Sequence, residues 1–156
     1  MRSRVVTTGC TFVPSKFCPE GAEGMLTRGQ AAVLIIRSIY SGSTGNPEGY
    51  SWYNPPQYFA DVPPSHPQYI YIQKMAELGI TSGCPVAGSF CPDDLLSYAQ
   101  IATFAIRARM IREFGYIFPL NCNAQQGTFE YYNCNPYFTD VPTNEFFFPY
   151  VQKAYA

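Results

Sequence analysis

Six cysteines have the greatest potential for chemistry in this chain, and they form three short-range pairs. Such a pair can be a disulfide, two buried thiols or part of a metal site. The chain has no Cys-x-x-Cys and only one histidine, which disfavours zinc. We predict disulfides, which require an oxidising compartment, with buried free thiols as the alternative. The predicted pairs are Cys10 with Cys18, Cys84 with Cys91, and Cys122 with Cys134.

The other reactive residue types do not form a recognisable catalytic set. His66 lies between Ser65 and Pro67 at a predicted helix entry, where a structural role is favoured over a general base or metal ligand. There is no Gly-x-Ser-x-Gly, His-Glu-x-x-His or phosphate-loop pattern. Asp93 and Asp94 lack the spaced acidic pattern of a calcium loop, and helix capping is the favoured interpretation. We predict a non-catalytic protein without a cofactor or metal.

Arg28 and the aromatic residues around Trp52 are the candidate ligand contacts. A planar guanidinium can hold a carboxylate through two hydrogen bonds, so Arg28 could bind an acidic sugar. Pairing of Arg28 with a structural carboxylate such as Asp61 is the alternative. Trp52 and three nearby tyrosines could stack on a sugar or pack the linker onto the helices, and packing is favoured.

Two blocks of sequence recur along the chain, which predicts an internal repeat. Phe59-Ala60-Asp61-Val62-Pro63 returns as Phe138-Thr139-Asp140-Val141-Pro142, 79 residues later, and the register continues without a gap from Lys74 to Lys153. Gly9-Cys10 with Phe17-Cys18-Pro19 resembles Gly83-Cys84 with Phe90-Cys91-Pro92. We predict one domain of about two repeats: 6–40 as the second half of a repeat, 41–58 as a linker, 59–114 as a complete repeat, 115–137 as a cysteine-containing linker, and 138–156 as a first half that completes 6–40.

Helix signals accompany both kinds of block. Thr27 and Gln30 form a capping-box pattern before a helix that reaches about Tyr40, with Leu34, Ile35 and Ile39 as its apolar face. Ser97 and Gln100 repeat the pattern for a second helix, which Gly115 ends, with an apolar stripe of Ile101, Phe104, Ala105, Ala108 and Ile111.

The Asp-Val-Pro turns precede two further predicted helices. One runs from about Pro67 to Leu78, with Ser65 as a candidate N-cap and Gly79 as the stop, and Tyr69, Ile72 and Ala76 share its face. The other begins between Glu145 and Phe147, because Pro149 is tolerated only in a first turn.

Charge and hydropathy exclude two classes of partner. The formal net charge is −1, so we expect no broad attraction to nucleic acid. The longest uninterrupted apolar run, from Ala31 to Ile36, is far too short to insert into a membrane. No secretory signal is visible before Cys10, so an oxidised protein would be a segment of a longer one.

The ordered blocks resemble the S-layer homology family. Phe59-Ala60-Asp61-Val62 matches its opening, Leu78-Gly79-Ile80 the turn after its first helix, and Gly83 to Phe90-Cys91-Pro92 its Gly-rich loop. Thr27-Arg28-Gly29-Gln30 and Ser97-Tyr98-Ala99-Gln100 match the start of its second helix, where the motif arginine occurs once, at Arg28, and Tyr98 stands at the other position.

The resemblance implies a mainly α fold of helix-loop-helix pseudo-repeats, here with long, disulfide-braced loops. It implies a non-catalytic extracytoplasmic module that binds wall-associated polysaccharide, with other surface-layer proteins or a second copy of itself as further partners. The alternative is a protein-interaction or self-assembly module without a glycan ligand. The implied glycan contacts are Arg28, Gln30, Tyr98, Gln100 and Trp52, and the implied structural residues are Asp61, Asp140, Gly9 and Gly83.

Overall fold

The computed structural model describes residues 11–12, 15–16, 26–41 and 53–156, and this part of the chain is mainly helical. A short antiparallel hairpin of β1 (Thr11–Phe12) and β2 (Ser15–Lys16) comes first. Its helices are α1 (Arg28–Tyr40), α2 (Tyr69–Glu77), α3 (Tyr98–Phe114) and α4 (Phe148–Tyr155). The predicted helical class is confirmed. None of the described helices is long and apolar enough to cross a membrane.

Internal contacts divide the chain into two compact units. The unit that we call the Arg28 unit takes in the described residues of Met25–Leu96 together with Arg107–Ile117. The Tyr98 unit takes in Ser97–Ile106 and Phe118–Ala156. Most of 6–25 lies outside the described residues, so the completion of 6–40 by 138–156 stays a prediction.

The start of α1 confirms the predicted capping box. Thr27 Oγ1 accepts a hydrogen bond from Gln30 N at 3.2 Å, and Gln30 Oε1 accepts one from Thr27 N at 3.0 Å. A cap of this kind is worth about 1 kcal/mol. At α3, Ser97 and Gln100 make the same reciprocal pair at 3.3 and 3.2 Å. Both helices therefore begin where the sequence predicted.

The predicted apolar face of α1 is wrong. Leu34 is 56% exposed, and the buried face instead contains Ala32, Ile36 and the first residue, Arg28. These three positions are spaced by four residues and therefore lie on one side of a helix. The small Ala31 and Ala32 side chains allow α1 to pack closely against α2. Size at the contact, rather than hydrophobicity alone, selects this face.

Helices α2 and α4 both begin later than predicted. Ser65 is not the N-cap of α2: Gln68 precedes the first helical residue and makes no side-chain cap. The intervening residues form separate turns, in which His66 N donates to Pro63 O and Tyr69 N donates to His66 O. In α4, Pro149 does lie in the first turn as predicted. The equivalent turns there run from Glu145 N to Pro142 O and from Phe148 N to Glu145 O.

Two glycines end their helices as predicted. Gly79 has φ +72° and donates its N–H to Ala76 O, while Ile80 N donates to Met75 O. Gly115 has φ +84° and donates to Ile111 O. Both use the left-handed conformation that glycine adopts without steric cost.

Each unit has its own apolar core. In the Arg28 unit the buried apolar side chains are Ala31, Ala32, Ile36, Phe59, Val62, Tyr69, Tyr71, Ile72, Met75, Ile80, Phe90, Leu96, Ala108 and Met110. In the Tyr98 unit they are Ala99, Ala102, Phe104, Ile106, Phe138, Val141, Phe147, Phe148, Val151 and Ala154. Of the predicted α3 stripe, Phe104 and Ala108 are buried, whereas Ile101, Ala105 and Ile111 are half-buried.

Two of the three predicted disulfides are present. Cys84–Cys91 has a Cα–Cα distance of 6.0 Å, and Cys122–Cys134 has one of 5.1 Å. Closing loops of this length contributes about 2–3 kcal/mol each in the chain-entropy account. The third predicted pair, Cys10 with Cys18, lies outside the described residues.

Candidate functional site

The start of α1 lies against the chain just before α3. Arg28 N donates to Asp94 O, and Gly29 N donates to Pro92 O, each at 2.9 Å. Leu96 N donates to Leu26 O at 3.1 Å. The first N–H groups of a helix have no partner within the helix. Here the carbonyls after the Gly-rich loop are those partners, so this helix start and the loop form one site.

The Arg28 side chain runs beneath the Gly-rich loop and binds its backbone. Nε donates to Phe90 O at 2.8 Å, and an Nη donates to Gly83 O at 2.9 Å. The guanidinium carbon lies 4.8 Å from the centre of the Phe90 ring. Only 3% of Arg28 is exposed. The guanidinium therefore joins the two ends of the loop and presents little surface to a ligand.

Burial sets the electrostatics of this arginine. Loss of solvent lowers the pKa of Arg28 from its ordinary value, and the negative charges of Asp94 and Asp61 oppose that change. An arginine remains protonated in proteins even so. Its charge therefore strengthens both hydrogen bonds to the loop carbonyls.

Asp61 binds the same loop from the other side. Its Oδ1 accepts from Phe90 N at 2.8 Å, and its Oδ2 accepts from Cys91 N at 2.7 Å. The sequence predicted that Asp61 would cap or brace the turn before α2, whereas these bonds reach 29 and 30 residues along the chain. The N–H of Phe90 is thus bound by Asp61 and its carbonyl by Arg28. We call this arrangement the loop clamp.

The loop itself requires glycine at its first position. Gly83 has φ +112°, and a Cβ there would lie 2.5 Å from Ser89 O and 3.1 Å from the Phe59 ring. Cys84 N donates to Ser89 O at 2.8 Å, which closes the loop alongside the disulfide. Cys91 has φ 57°, in the left-handed region that side chains rarely occupy. Several independent contacts thus fix one loop conformation.

The other predicted site residues are placed as follows. Gln30 is exposed, and Tyr98 and Gln100 are half-buried at the start of α3. Gln30 and Gln100 each use Oε1 in a capping box. Asp140 is half-buried in the Tyr98 unit. Trp52 and Gly9 lie outside the described residues.

Two buried glutamines anchor the chain before each Phe-x-Asp-Val turn, and the sequence analysis missed them. Gln73 Oε1 accepts from Tyr58 N at 2.8 Å, and Gln152 Oε1 accepts from Tyr137 N at 3.2 Å. Donor and acceptor both advance by 79 residues from one pair to the other. The matching glutamines in the aligned blocks were the available signal, since buried polar side chains are normally hydrogen-bonded.

Metal chemistry has no support in the described residues, which contain no group of three or more histidine, cysteine or acidic side chains able to hold an ion. The site is instead a clamped loop beside a helix start, within a small helical module. The family model of the S-layer homology domain matches residues 58–102, which confirms the resemblance for this segment. Searches of curated proteins and of solved structures give no match.

The matched segment contains most of the loop clamp. Asp61, Gly83 and Phe90 lie within 58–102, together with α2 and the start of α3. Arg28 lies outside it and reaches the segment through the fold. S-layer homology domains are in general cell-surface anchoring modules. The sequence missed the partners of Arg28 because they lie 55 and 62 residues away.

Proposed function

We propose that the protein is a non-catalytic cell-surface module that anchors a larger protein to the bacterial cell envelope by binding wall-associated polysaccharide. The family match at 58–102 carries this proposal. The loop clamp supports it, because a loop fixed in one conformation loses little entropy when it binds a ligand. Two disulfides support an oxidising, extracytoplasmic location.

The proposed architecture is a pair of pseudo-repeats. The Tyr58–Gln73 and Tyr137–Gln152 bonds are related by a shift of 79 residues, and the two capping boxes begin at Thr27 and Ser97. The turns that enter α2 and α4 also use hydrogen bonds at matching positions. Contacts that recur in register support a duplicated unit.

The proposed glycan contacts surround the two helix starts. Gln30 is exposed, and Tyr98 and Gln100 keep part of their surface accessible. Trp52 is retained as a predicted contact from the sequence. Arg28 is buried against the loop, so its proposed contribution is to hold the loop in its binding conformation, with at most a small surface offered to sugar.

One observation favours the alternative of a protein-interaction or self-assembly module. The single motif arginine is largely withdrawn from solvent, and the tip of the Gly-rich loop exposes Pro85, Val86 and Ala87. An exposed apolar tip suits contact with another protein better than contact with a charged polymer. The two functions can be separated experimentally.

Cosedimentation of the whole chain with purified envelope polysaccharide from the source organism tests the proposal. We expect saturable binding that Arg28→Ala weakens, because the loop loses its clamp. Arg109→Ala, which removes an exposed partner of Glu113, is the matched control and should bind normally. Folded wild-type protein that does not bind, but that self-associates in light scattering, would replace the proposal with the assembly module.

A further inference from the structure

A second group of polar and aromatic side chains lies away from the loop clamp, where the ends of α1 and α2 meet the segment before Phe59. We call it the Tyr53 cluster, and its members are Tyr40, Tyr53, Lys74 and Glu77. Tyr53 donates its hydroxyl hydrogen to Glu77 Oε2 at 2.7 Å, and Lys74 Nζ lies 3.1 Å from Glu77 Oε1. The same Nζ is 5.2 Å from the centre of the Tyr53 ring and 5.8 Å from that of Tyr40.

The fold itself does not require this cluster. In the Tyr98 unit the positions 79 residues later are Tyr132, Lys153 and Ala156. Lys153 donates to the backbone oxygen of Tyr131 and lies over the Phe129 ring, while Tyr132 packs edge-on against Phe148. Alanine at the third position removes the carboxylate. A cluster present in one repeat and replaced by plain packing in the other is a candidate for a specific role.

Its protonation state is well defined at neutral pH. Burial and the hydrogen bond to Glu77 raise the pKa of Tyr53 far above its usual range, so its hydroxyl stays a donor. Burial alone would raise the pKa of Glu77, but hydrogen bonds from Tyr53 and Lys74 outweigh it and lower that pKa. Glu77 is thus an ionised acceptor, and its side chain is 41% exposed.

The geometry points to the Tyr53 cluster as a binding site for a neutral sugar of the envelope glycan. Tyrosine rings offer apolar surface to the C–H face of a pyranose, and the exposed carboxylate accepts hydrogen bonds from sugar hydroxyls. Lys74 and Glu77 cancel in charge, and Glu77 is the more exposed of the two. An acidic sugar would therefore approach a negative charge, which disfavours it. Tyr53 is already held by Glu77 and Lys74, so little further freedom is lost on binding.

Titration calorimetry on the whole chain tests this with chitotetraose, cellotetraose and mannotetraose as neutral probes and trigalacturonic acid as the acidic one. We expect at least one neutral probe to bind, and Tyr53→Ala and Glu77→Ala to weaken it about tenfold, as for loss of one anchoring contact. Tyr116→Ala removes an exposed tyrosine of the same unit outside the cluster and should bind as wild type. No neutral binding, equal binding by all variants, or tighter binding of the acidic probe would each overturn the inference.

This inference rests on the proposed function, and envelope cosedimentation of the same variants separates the two. Wild type that binds the envelope equally well with and without Tyr53 and Glu77 overturns the sugar site alone. Wild type that does not bind overturns the anchoring function. Glu77→Ala keeps the test valid if Tyr53→Ala unfolds, since alanine at an exposed helix position favours the helix.

Discussion

The Arg28 unit and the Tyr98 unit attach the segment before the Phe-x-Asp-Val turn through different polar groups. In both, a buried glutamine accepts from the backbone N–H of a tyrosine. Gln152 Nε2 then donates to Asn133 O at 2.9 Å and Asn135 O at 2.7 Å. Gln73 Nε2 is buried and makes no hydrogen bond, and its segment is held instead by Tyr69, whose hydroxyl donates to Pro55 O at 3.0 Å.

The difference shows which contacts accompany the repeat and which vary. Phe148 stands where Tyr69 does in the other unit and has no hydroxyl to donate. The extra bonds of Gln152 therefore occur where the tyrosine hydroxyl is missing. The same variation separates Arg28 from Tyr98 at the two helix starts, since a phenol cannot make both guanidinium contacts. We expect substitutions at matched positions to have unequal effects in the two units.

The largest expected effect is that of Arg28→Ala. Two buried loop carbonyls lose a charged donor, so the free energy of unfolding should fall by about 3 kcal/mol. Tyr98→Ala, at the matched helix start, should cost less than half as much. Urea denaturation followed by circular dichroism measures both, with Arg109→Ala as an exposed control that should change stability by less than about 0.5 kcal/mol.

A small loss in Arg28→Ala would contradict the loop clamp. If the variant lost under about 1 kcal/mol, the disulfide and Asp61 would be sufficient to hold the loop. Equal losses in Arg28→Ala and Tyr98→Ala would instead remove the proposed difference between the two helix starts.

Gly83→Ala should have the next largest effect, about 2–3 kcal/mol, because the new Cβ meets Ser89 O in a backbone conformation unsuited to alanine. Gly88→Ala is the matched control in the same loop. It also has positive φ but open space around it, so about 1 kcal/mol is expected. Thermal unfolding compares the two. The same change at Gly9 sharpens the repeat: a cost close to that of Gly83→Ala supports equivalent loops, and a cost near zero argues against them.

Local signals in the sequence predicted the helix starts and ends well. The capping pairs at Thr27 and Ser97, and the stops at Gly79 and Gly115, depend on neighbouring residues that can be read directly. The partners of Arg28 and Asp61 could not be predicted in the same way, because they depend on which face of α1 is buried. Leu34 made the wrong face more hydrophobic, whereas the small alanines allowed close packing on the other side.

Gln152→Met should destabilise the protein more than Gln73→Met. Methionine is similar in size, but at 152 it leaves Tyr137 N, Asn133 O and Asn135 O without their partner, for a cost of about 2 kcal/mol. At 73 it leaves only Tyr58 N and also removes a buried amide that has no acceptor, so about 1 kcal/mol or less is expected. Chemical denaturation of the two variants side by side measures the difference. The reverse order would mean that Gln73 Nε2 gains a water or backbone partner in solution.

The smallest expected effect concerns acid pH and only the Arg28 unit, since Ala156 stands at the position matching Glu77. Hydrogen bonds from Tyr53 and Lys74 lower the pKa of Glu77 in the folded protein against the effect of burial. A lowered folded pKa means that the stabilisation is complete above the unfolded value of about 4.3 and is lost as the pH falls through the folded value. Tyr53→Phe removes one of the hydrogen bonds, so the carbon-13 carboxyl resonance of Glu77 should titrate at higher pH than in wild type. Tyr132→Phe, the matched change in the Tyr98 unit, should leave that titration unaltered. An unchanged Glu77 titration in Tyr53→Phe would mean that Lys74 alone lowers the pKa of Glu77, and that Tyr53 is not fixed by the carboxylate.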